Sequence, residues 1–192
     1  QEKFLTIAQR NLKRLSLLIN DILDLSKIDA SKMKMEFAPH SIEKLIDEVC
    51  DTLVTWAKAK TIKIEKRIQK NIPEVNLDFN RMIQVLNNII GNAVKFTSKD
   101  GIVIVEAGLD GVQKNVLVSV ADTGVGIAKE NLSRVFDKFQ QVGERVVTDI
   151  GGTGLGLSIA KEIIGLHGGK IWAESEKKQG AKFFFTLPIT TS

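Results

Sequence analysis

The sequence predicts an α+β fold: a two-layer α/β sandwich whose mixed sheet is covered by three helices, preceded by a long bundle helix. Three observations predict it. Residues 1 to about 30 contain neither Pro nor Gly and carry apolar residues at alternating spacings of three and four. Three later stretches, near residues 42–56, 82–96 and 157–164, have one apolar face at helical period. The segments around them alternate or run apolar between Gly, Pro, Asn and Asp, which is strand patterning.

The first helix carries Leu5, Ala8, Leu12, Leu15, Ile19 and Ile22 as a bundle seam, widened by Leu18 and Leu25. It either folds back on its own domain or forms half of a dimerising hairpin. Asp29, Ser31, Lys32 and Lys34 break the pattern, so a boundary separates residues 1–32 from a domain at 33–192. Met33, Met35 and Phe37 alternate like a short strand. A second helix follows Ser41 as N-cap, with Ile42, Leu45, Ile46, Val49, Leu53 and Trp56 inward; Lys44 stands where a capping box has Glu. Ile62, Ile64 and Ile68 read as a strand, and Pro73 precedes a short extended piece at 75–77. Asp78 or Asn80 caps the third helix, which runs through Met82, Val85, Leu86, Ile89, Ile90, Ala93 and Phe96. Residues 102–105 and 116–121 flank Asp110-Gly111 as a hairpin. A short helix is expected over 130–139, a mobile lid over 142–150 within a wider lid at 137–151, and closing strands at 171–173 and 182–187.

Composition narrows the function classes. With 43% hydrophobic and 26% charged residues the chain is an ordinary folded domain rather than a disordered one. The net charge of +4 is small and the basic residues are scattered, which argues against nucleic acid. No apolar run is long enough for a membrane helix and no signal-peptide pattern opens the chain, so a cytoplasmic location is expected. The single cysteine, Cys50, cannot form an internal disulfide and reads as a small buried residue.

Chemistry concentrates in two glycine loops and one helix face. Asp122-Thr123-Gly124-Val125-Gly126-Ile127 follows a strand pattern, placing a carboxylate and two glycines where the backbone must turn. Gly152, Thr153, Gly154, Leu155 and Gly156 precede an apolar helical run that begins at Leu157; such a helix start offers free N–H groups to phosphate oxygens. No Gly-Lys-Ser/Thr follows, so this is not a Walker loop, and the spacing does not match G-x-G-x-x-G. On the third helix Gln84, Asn88, Asn92 and Lys95 share one stripe. Asparagine is a poor helix-interior residue, so Asn80, Asn87, Asn88 and Asn92 need a reason. Side-chain carbonyls for a hard cation such as Mg²⁺ and a Lys charge for phosphate supply one.

Here the chain resembles the sensor histidine kinases, and more widely the ATPase superfamily they share with type II topoisomerases, mismatch-repair ATPases and a heat-shock chaperone. Residues 84–96 resemble the asparagine box and 122–127 the first glycine box. Residues 136–139 resemble the phenylalanine box, 152–156 the second glycine box, and Gly180 with 183–188 the closing strand. The resemblance implies ATP and Mg²⁺ as cofactors. It implies Asn92 as metal ligand, Asn88 and Lys95 as catalytic groups at the phosphates, and Asp122 as acceptor from the adenine amino group. A carboxylate accepts only, which selects adenine over guanine. Gly124 and Gly126 would pass the backbone beside the base; Gly152, Gly154 and Gly156 would present N–H groups; Phe136 and Phe139 would anchor the lid; and Thr186 would support Asp122. Phe96, Ile127, Thr153, Leu155 and Leu157 complete the implied nucleotide set.

The family's phosphoacceptor histidine, followed by an acidic residue on the first hairpin helix, has no counterpart here. His40 follows Pro39 in the linker, and His167 precedes Gly168-Gly169 at a helix end; both read as structural. The chain thus resembles the second hairpin helix plus the ATP-binding domain. Gln140-Gln141 stands where many members carry an arginine near the γ-phosphate. The implied partners are a response-regulator receiver domain and a second copy through the hairpin. The alternatives are a superfamily ATPase driving dimer closure and a non-catalytic nucleotide-binding or dimerisation module.

Overall fold

The computed structural model describes residues 2–111, 114–140 and 153–189. Helix α1 (Glu2–Asp29) precedes strand β1 (Ala38–His40) and helix α2 (Ile42–Ala59). Then come β2 (Lys63–Ile68), β3 (Val75–Leu77), α3 (Phe79–Phe96), β4 (Ile102–Asp110) and β5 (Asn115–Asp122). The chain closes with α4 (Lys129–Leu132), α5 (Gly156–Leu166), β6 (Ile171–Ser175) and β7 (Ala181–Pro188).

Five strands form one sheet in the order β2-β4-β5-β7-β6, with β2 and β4 parallel and every other pair antiparallel. Period-two alternation sends one side of each strand to the core: Val103, Val105 and Ala107 from β4, Val116, Val118 and Val120 from β5, Phe183, Phe185 and Leu187 from β7. The apolar faces of α2, α3 and α5 lie on that side, with Ile46, Met82, Val85, Leu86, Ile89, Ile90, Ile159, Ile163 and Ile164 fully enclosed. Each such aliphatic side chain contributes about 2 kcal/mol by leaving water. This is the mixed sheet under three helices. Cys50 lies in the α2 face, where burial pushes its thiol up to about 11 and leaves it inert.

Helix starts follow the sequence. Ser41 caps α2 by accepting from Lys44 N–H at 3.4 Å, and Asp78 caps α3 by accepting from Arg81 N–H at 3.1 Å. Asn80 lies inside α3 and is not the cap. The far end of α3 is closed in a way no local pattern shows. Lys60, just past α2, donates its ammonium to the carbonyls of Val94, Lys95 and Thr97 at 2.7, 2.9 and 2.7 Å.

Two expectations need correction. Residues 32–37 form no strand; the strand is β1, paired antiparallel with β3. The Glu36 N–H that a ladder would use goes instead to Asp78 Oδ2 at 2.9 Å. The helix expected over 130–139 is α-helical only across Lys129–Leu132. Beyond it, Arg134, Asp137 and Gln140 N–H groups bond three residues back, to Asn131, Arg134 and Asp137, and Phe139 ends the segment at φ 62°. The lid at 142–150, and 141–152 as a whole, lies outside the described residues.

Helix α1 folds back on the domain by one side only. Its polar side and Leu25, 6% exposed, rest on the domain, while the seam residues Leu5, Leu12, Leu15, Ile19 and Ile22 remain between 49% and 64% exposed. Among the described residues no helix is long and apolar enough to cross a membrane.

Candidate functional site

The site gathers at one end of the sheet, where β5 delivers Asp122, α3 presents its polar stripe, and α5 begins. Asp122 is the last residue of β5, and its Oδ1 accepts from Gly124 N–H at 2.8 Å and from Ala181 N–H at 3.3 Å. Among the described residues no hydrogen bond reaches Oδ2. Burial pushes the carboxyl above its ordinary range, against the opposite pull of the two N–H groups. A half-enclosed acceptor with one oxygen pinned is suited to a single neutral donor such as an exocyclic amine.

Glycine is required around it. A Cβ on Gly124 would lie 2.5 Å from Phe96 O and 2.7 Å from Asp122 Oδ1. Gly126 sits at φ 68° with its Cα facing the Glu176 carbonyl, and Gly180 at φ 80° lies against the Asp122 carbonyl. The turn at 176–180 therefore interlocks with the loop at 123–127. Lys178 N–H donates to Val125 O at 2.7 Å, and Ile127 N–H donates to Ser175 Oγ at 2.7 Å.

The other end of the candidate site is the start of α5. Its N-cap, Leu155, gives no side-chain bond and its first turn has no acidic residue, so among the described residues no side chain competes with an anion for the early N–H groups. Gly154, at φ 74°, passes so close to Phe139 that a Cβ would lie 2.9 Å from its carbonyl carbon. Asn88 donates from Nδ2 to Gly156 O at 3.0 Å, tying α3 to the first residue of α5. Asn92, one turn on, is half-buried with no described hydrogen-bond partner, and Lys95 Nζ lies 4.9 Å from the centre of the Phe96 ring. Among the described residues no group of three His, Cys, Asp or Glu is placed to hold a metal ion. The donor set thus fits a cation that takes one amide oxygen from protein and the rest from phosphates and water, as Mg²⁺ does.

Not every expected residue joins this cluster. Thr186 does not. It pairs with Leu117 in the sheet, five residues up β5 from Asp122 and so roughly 17 Å away along the strand, and its Oγ1 accepts from Lys170 N–H at 3.1 Å. The backbone N–H of Ala181 takes the supporting place instead. Leu155 is fully buried in the core and its N–H is spent on Thr153 Oγ1 at 3.1 Å, while Leu157 packs against the core. Thr153 itself donates to Asp21 of α1 at 2.8 Å, and burial pushes that carboxyl up. Phe136 meets Phe183 edge-on at 6.2 Å, and Phe139 is 67% exposed among the described residues, with the lid it was expected to anchor lying outside them. Gln84 leaves the stripe for α1, bonding Asp24 at 2.8 Å beside the Arg81–Asp24 pair at 3.1 Å. Ile127 packs against the core, Phe96 is exposed at the rim, and Gly152 lies outside the described residues. Ser175, Ala181 and Asp21 had no signal in the sequence, since each acts through a partner at least 48 residues away.

A half-buried acceptor at a strand end, a glycine turn beneath it and a helix start without a side-chain cap are chemically suited to an adenine nucleotide. The model of the histidine kinase-, DNA gyrase B- and HSP90-like ATPases matches residues 77–191, and the chain belongs to this family, to its histidine-kinase type. It is 34% identical, over 97% of its length, to the sensor histidine kinase WalK of Bacillus subtilis, covering 30% of that protein. It is 37% identical, again over 97%, to an uncharacterised sensor-like histidine kinase, ycf26, of Pyropia yezoensis, also covering 30%. The chain thus spans under a third of the length of these curated relatives. Among solved structures, full-length ShkA in complex with AMPPNP superposes with a TM-score of 0.86 at 34% identity, over the whole of this chain and 39% of that one. ThkA in complex with the response regulator TrrA superposes at 0.75 and 28% identity, over 98% of this chain and 51% of that one.

Proposed function

We propose that this chain is the ATP-binding catalytic part of a two-component sensor histidine kinase. It binds ATP with Mg²⁺ and transfers the γ-phosphoryl group to a histidine on a helical hairpin outside the chain, from which the group passes to an aspartate of a response regulator. The observation that carries the reading is the Asp122 carboxylate, held by Gly124 and Ala181 and linked through α3 to the start of α5: Gly124 lies against Phe96 O, and Asn88 bonds Gly156 O. Asp122 accepts from the adenine amine, the first N–H groups of α5 take phosphate oxygens, and Lys95 adds a positive charge beside them. Asn92 would hold Mg²⁺ by its side-chain oxygen, the ion supplying charge neutralisation of the phosphates when bound. Asn88, through Gly156, keeps α3 and α5 at fixed separation. Positioning and electrostatics are the protein's main contribution in phosphoryl transfer.

Hydrolysis by water is disfavoured as the main activity, because α3 carries no acidic residue that would activate one. The AMPPNP-bound and regulator-bound relatives support nucleotide and receiver-domain binding, and the exposed seam of α1 supports a second copy joined through the hairpin. A cytoplasmic location follows from the ATP requirement. Neither histidine is suited to accept the phosphoryl group: both ring nitrogens of His167 are occupied, and His40 lies against Phe79 at 5.0 Å. The chain incubated with γ-labelled ATP is therefore expected to bind nucleotide and stay unlabelled; label retained after gel separation would oppose this.

Calorimetric titration tests the site. ATP with Mg²⁺ is expected to bind the chain, GTP not, and Asp122→Asn is expected to lose at least 1.4 kcal/mol, tenfold in affinity, because its amide offers a donor to the adenine amine. Equal affinity for both nucleotides, or no effect of the substitution, removes the adenine assignment.

A further inference from the structure

Ser175 ends β6, and its hydroxyl makes two short bonds: it accepts from Ile127 N–H at 2.7 Å and donates to Gly180 O at 2.6 Å. A serine hydroxyl has one proton, so the bond to Gly180 fixes the rotor and leaves a lone pair facing Ile127. The two backbone groups it joins belong to two different glycine turns. Ile127 follows Gly126, at φ 68°, and Gly180 itself has φ 80°. Neither turn has another described bond at these atoms. Gly180 lies directly against the Asp122 carbonyl, and the next residue, Ala181, gives the second N–H that pins Asp122 Oδ1 at 3.3 Å.

We infer that Ser175 is a positioning residue of the adenine site, whose hydroxyl couples the 123–127 loop to the 176–181 turn and so sets where the Asp122 carboxylate points. The inference rests on the adenine-site reading of Asp122. Its physical content is a register between two strained turns. Without the hydroxyl, the Ile127 N–H and the Gly180 carbonyl lose their shared partner, the turns stay joined through Lys178 N–H and Val125 O at 2.7 Å, and Ala181 N–H is held less closely to Oδ1. The bond from Gly124 N–H, made within the loop itself, remains. Asp122 then rotates on one firm tether rather than two. The first turn of α5 and Asn88 share no hydrogen bond with Ser175, so the phosphate end is untouched.

The test compares the chain with Ser175→Ala, Ser175→Cys and Ser175→Thr, titrated with ATP·Mg²⁺ and separately with adenosine, alongside Asp122→Asn. Ser175→Ala is expected to weaken ATP and adenosine by the same factor, about tenfold. Ser175→Thr, which keeps the hydroxyl, is expected to restore most of the affinity. Cysteine, a weak donor and acceptor of similar shape, should fall between, and it carries the test where alanine prevents folding. Amide exchange at Ile127 should accelerate in the alanine or cysteine variant. Undiminished adenosine binding by Ser175→Ala, a loss confined to ATP, or failure of threonine to restore binding overturns the inference. A parent chain that binds no ATP overturns the adenine-site reading itself, a separate result.

Discussion

Burial leaves the His167 ring neutral. Its Nδ1–H donates to Ile163 O at 2.8 Å, Nε2 accepts from Asp78 N–H at 3.0 Å, and the Phe37 ring stands edge-on at 5.1 Å. Desolvation holds its pKa below the ordinary 6.5, only partly offset by the Ile163 carbonyl and the Asp78 carboxylate. With the folded pKa depressed, the native state binds fewer protons than the unfolded chain, so the contribution of His167 is whole above pH 6.5 and is lost as pH falls through the folded value. Thermal melts from pH 8 to 5 should fall across that window in the parent chain, and His167→Gln should flatten this part of the profile; parallel profiles would place the titration elsewhere. Asp122 shows what can be read from one residue. A carboxylate next to Gly-x-Gly at a strand end is a local signature of a turn, while the atoms that demand glycine there, Phe96 O and the Glu176 carbonyl, come from distant segments. Thr186 shows the opposite, since its spacing from the end of the chain gives no hint of which end of β5 it faces.

Helix α3 is held at its two ends by different means. Asp78 caps its start from within the same segment, whereas its last carbonyls are satisfied by Lys60, 34 to 37 residues away in sequence. Desolvation lowers the Lys60 pKa, yet three carbonyl partners at the negative end of a helix dipole favour its charge. Lys60→Met keeps the stem but removes all three bonds, and is expected to cost about 2 kcal/mol, read as a lower urea midpoint at unchanged slope. A midpoint equal to the parent's would mean that water caps α3 as well. The asparagine stripe was legible because helical period fixes a face, but period cannot say what lies opposite. Asn88 met Gly156, Gln84 met α1, and Asn92 is half-buried with no described hydrogen-bond partner. The extended residues 33–37 show the same limit: alternation predicts an extended backbone, and pairing alone makes a strand.

At the scale of the molecule, α1 is bound to the domain by acids one turn or so apart. Asp21 receives Thr153, Asp24 pairs with Arg81 and Gln84, and Asp29 pairs with Lys138 at 2.7 Å. The Lys138–Asp29 pair is exposed and so weak, whereas Arg81 and Asp24 are only 24% and 13% exposed. This polar attachment turns the apolar seam outward. Leu12→Asp with Ile19→Asp is therefore expected to abolish self-association in sedimentation without changing ATP affinity. Coupled loss of both would show that seam and site are one unit.

The sequence by itself determined α1, α2, α3 and α5, the buried faces of the last three, the positions of the glycine turns, the carboxylate at the end of β5 and the polar stripe of α3. Each is decided by groups within a few residues, through φ/ψ sterics, capping or periodicity. Only the tertiary structure decided the strand order β2-β4-β5-β7-β6, the placing of Ala181 rather than Thr186 beside Asp122, the Ser175 bridge and the Lys60 cap. These depend on which segments pack together across dozens of residues, and that choice is made by burying all the apolar faces at once, a condition no single stretch of sequence contains.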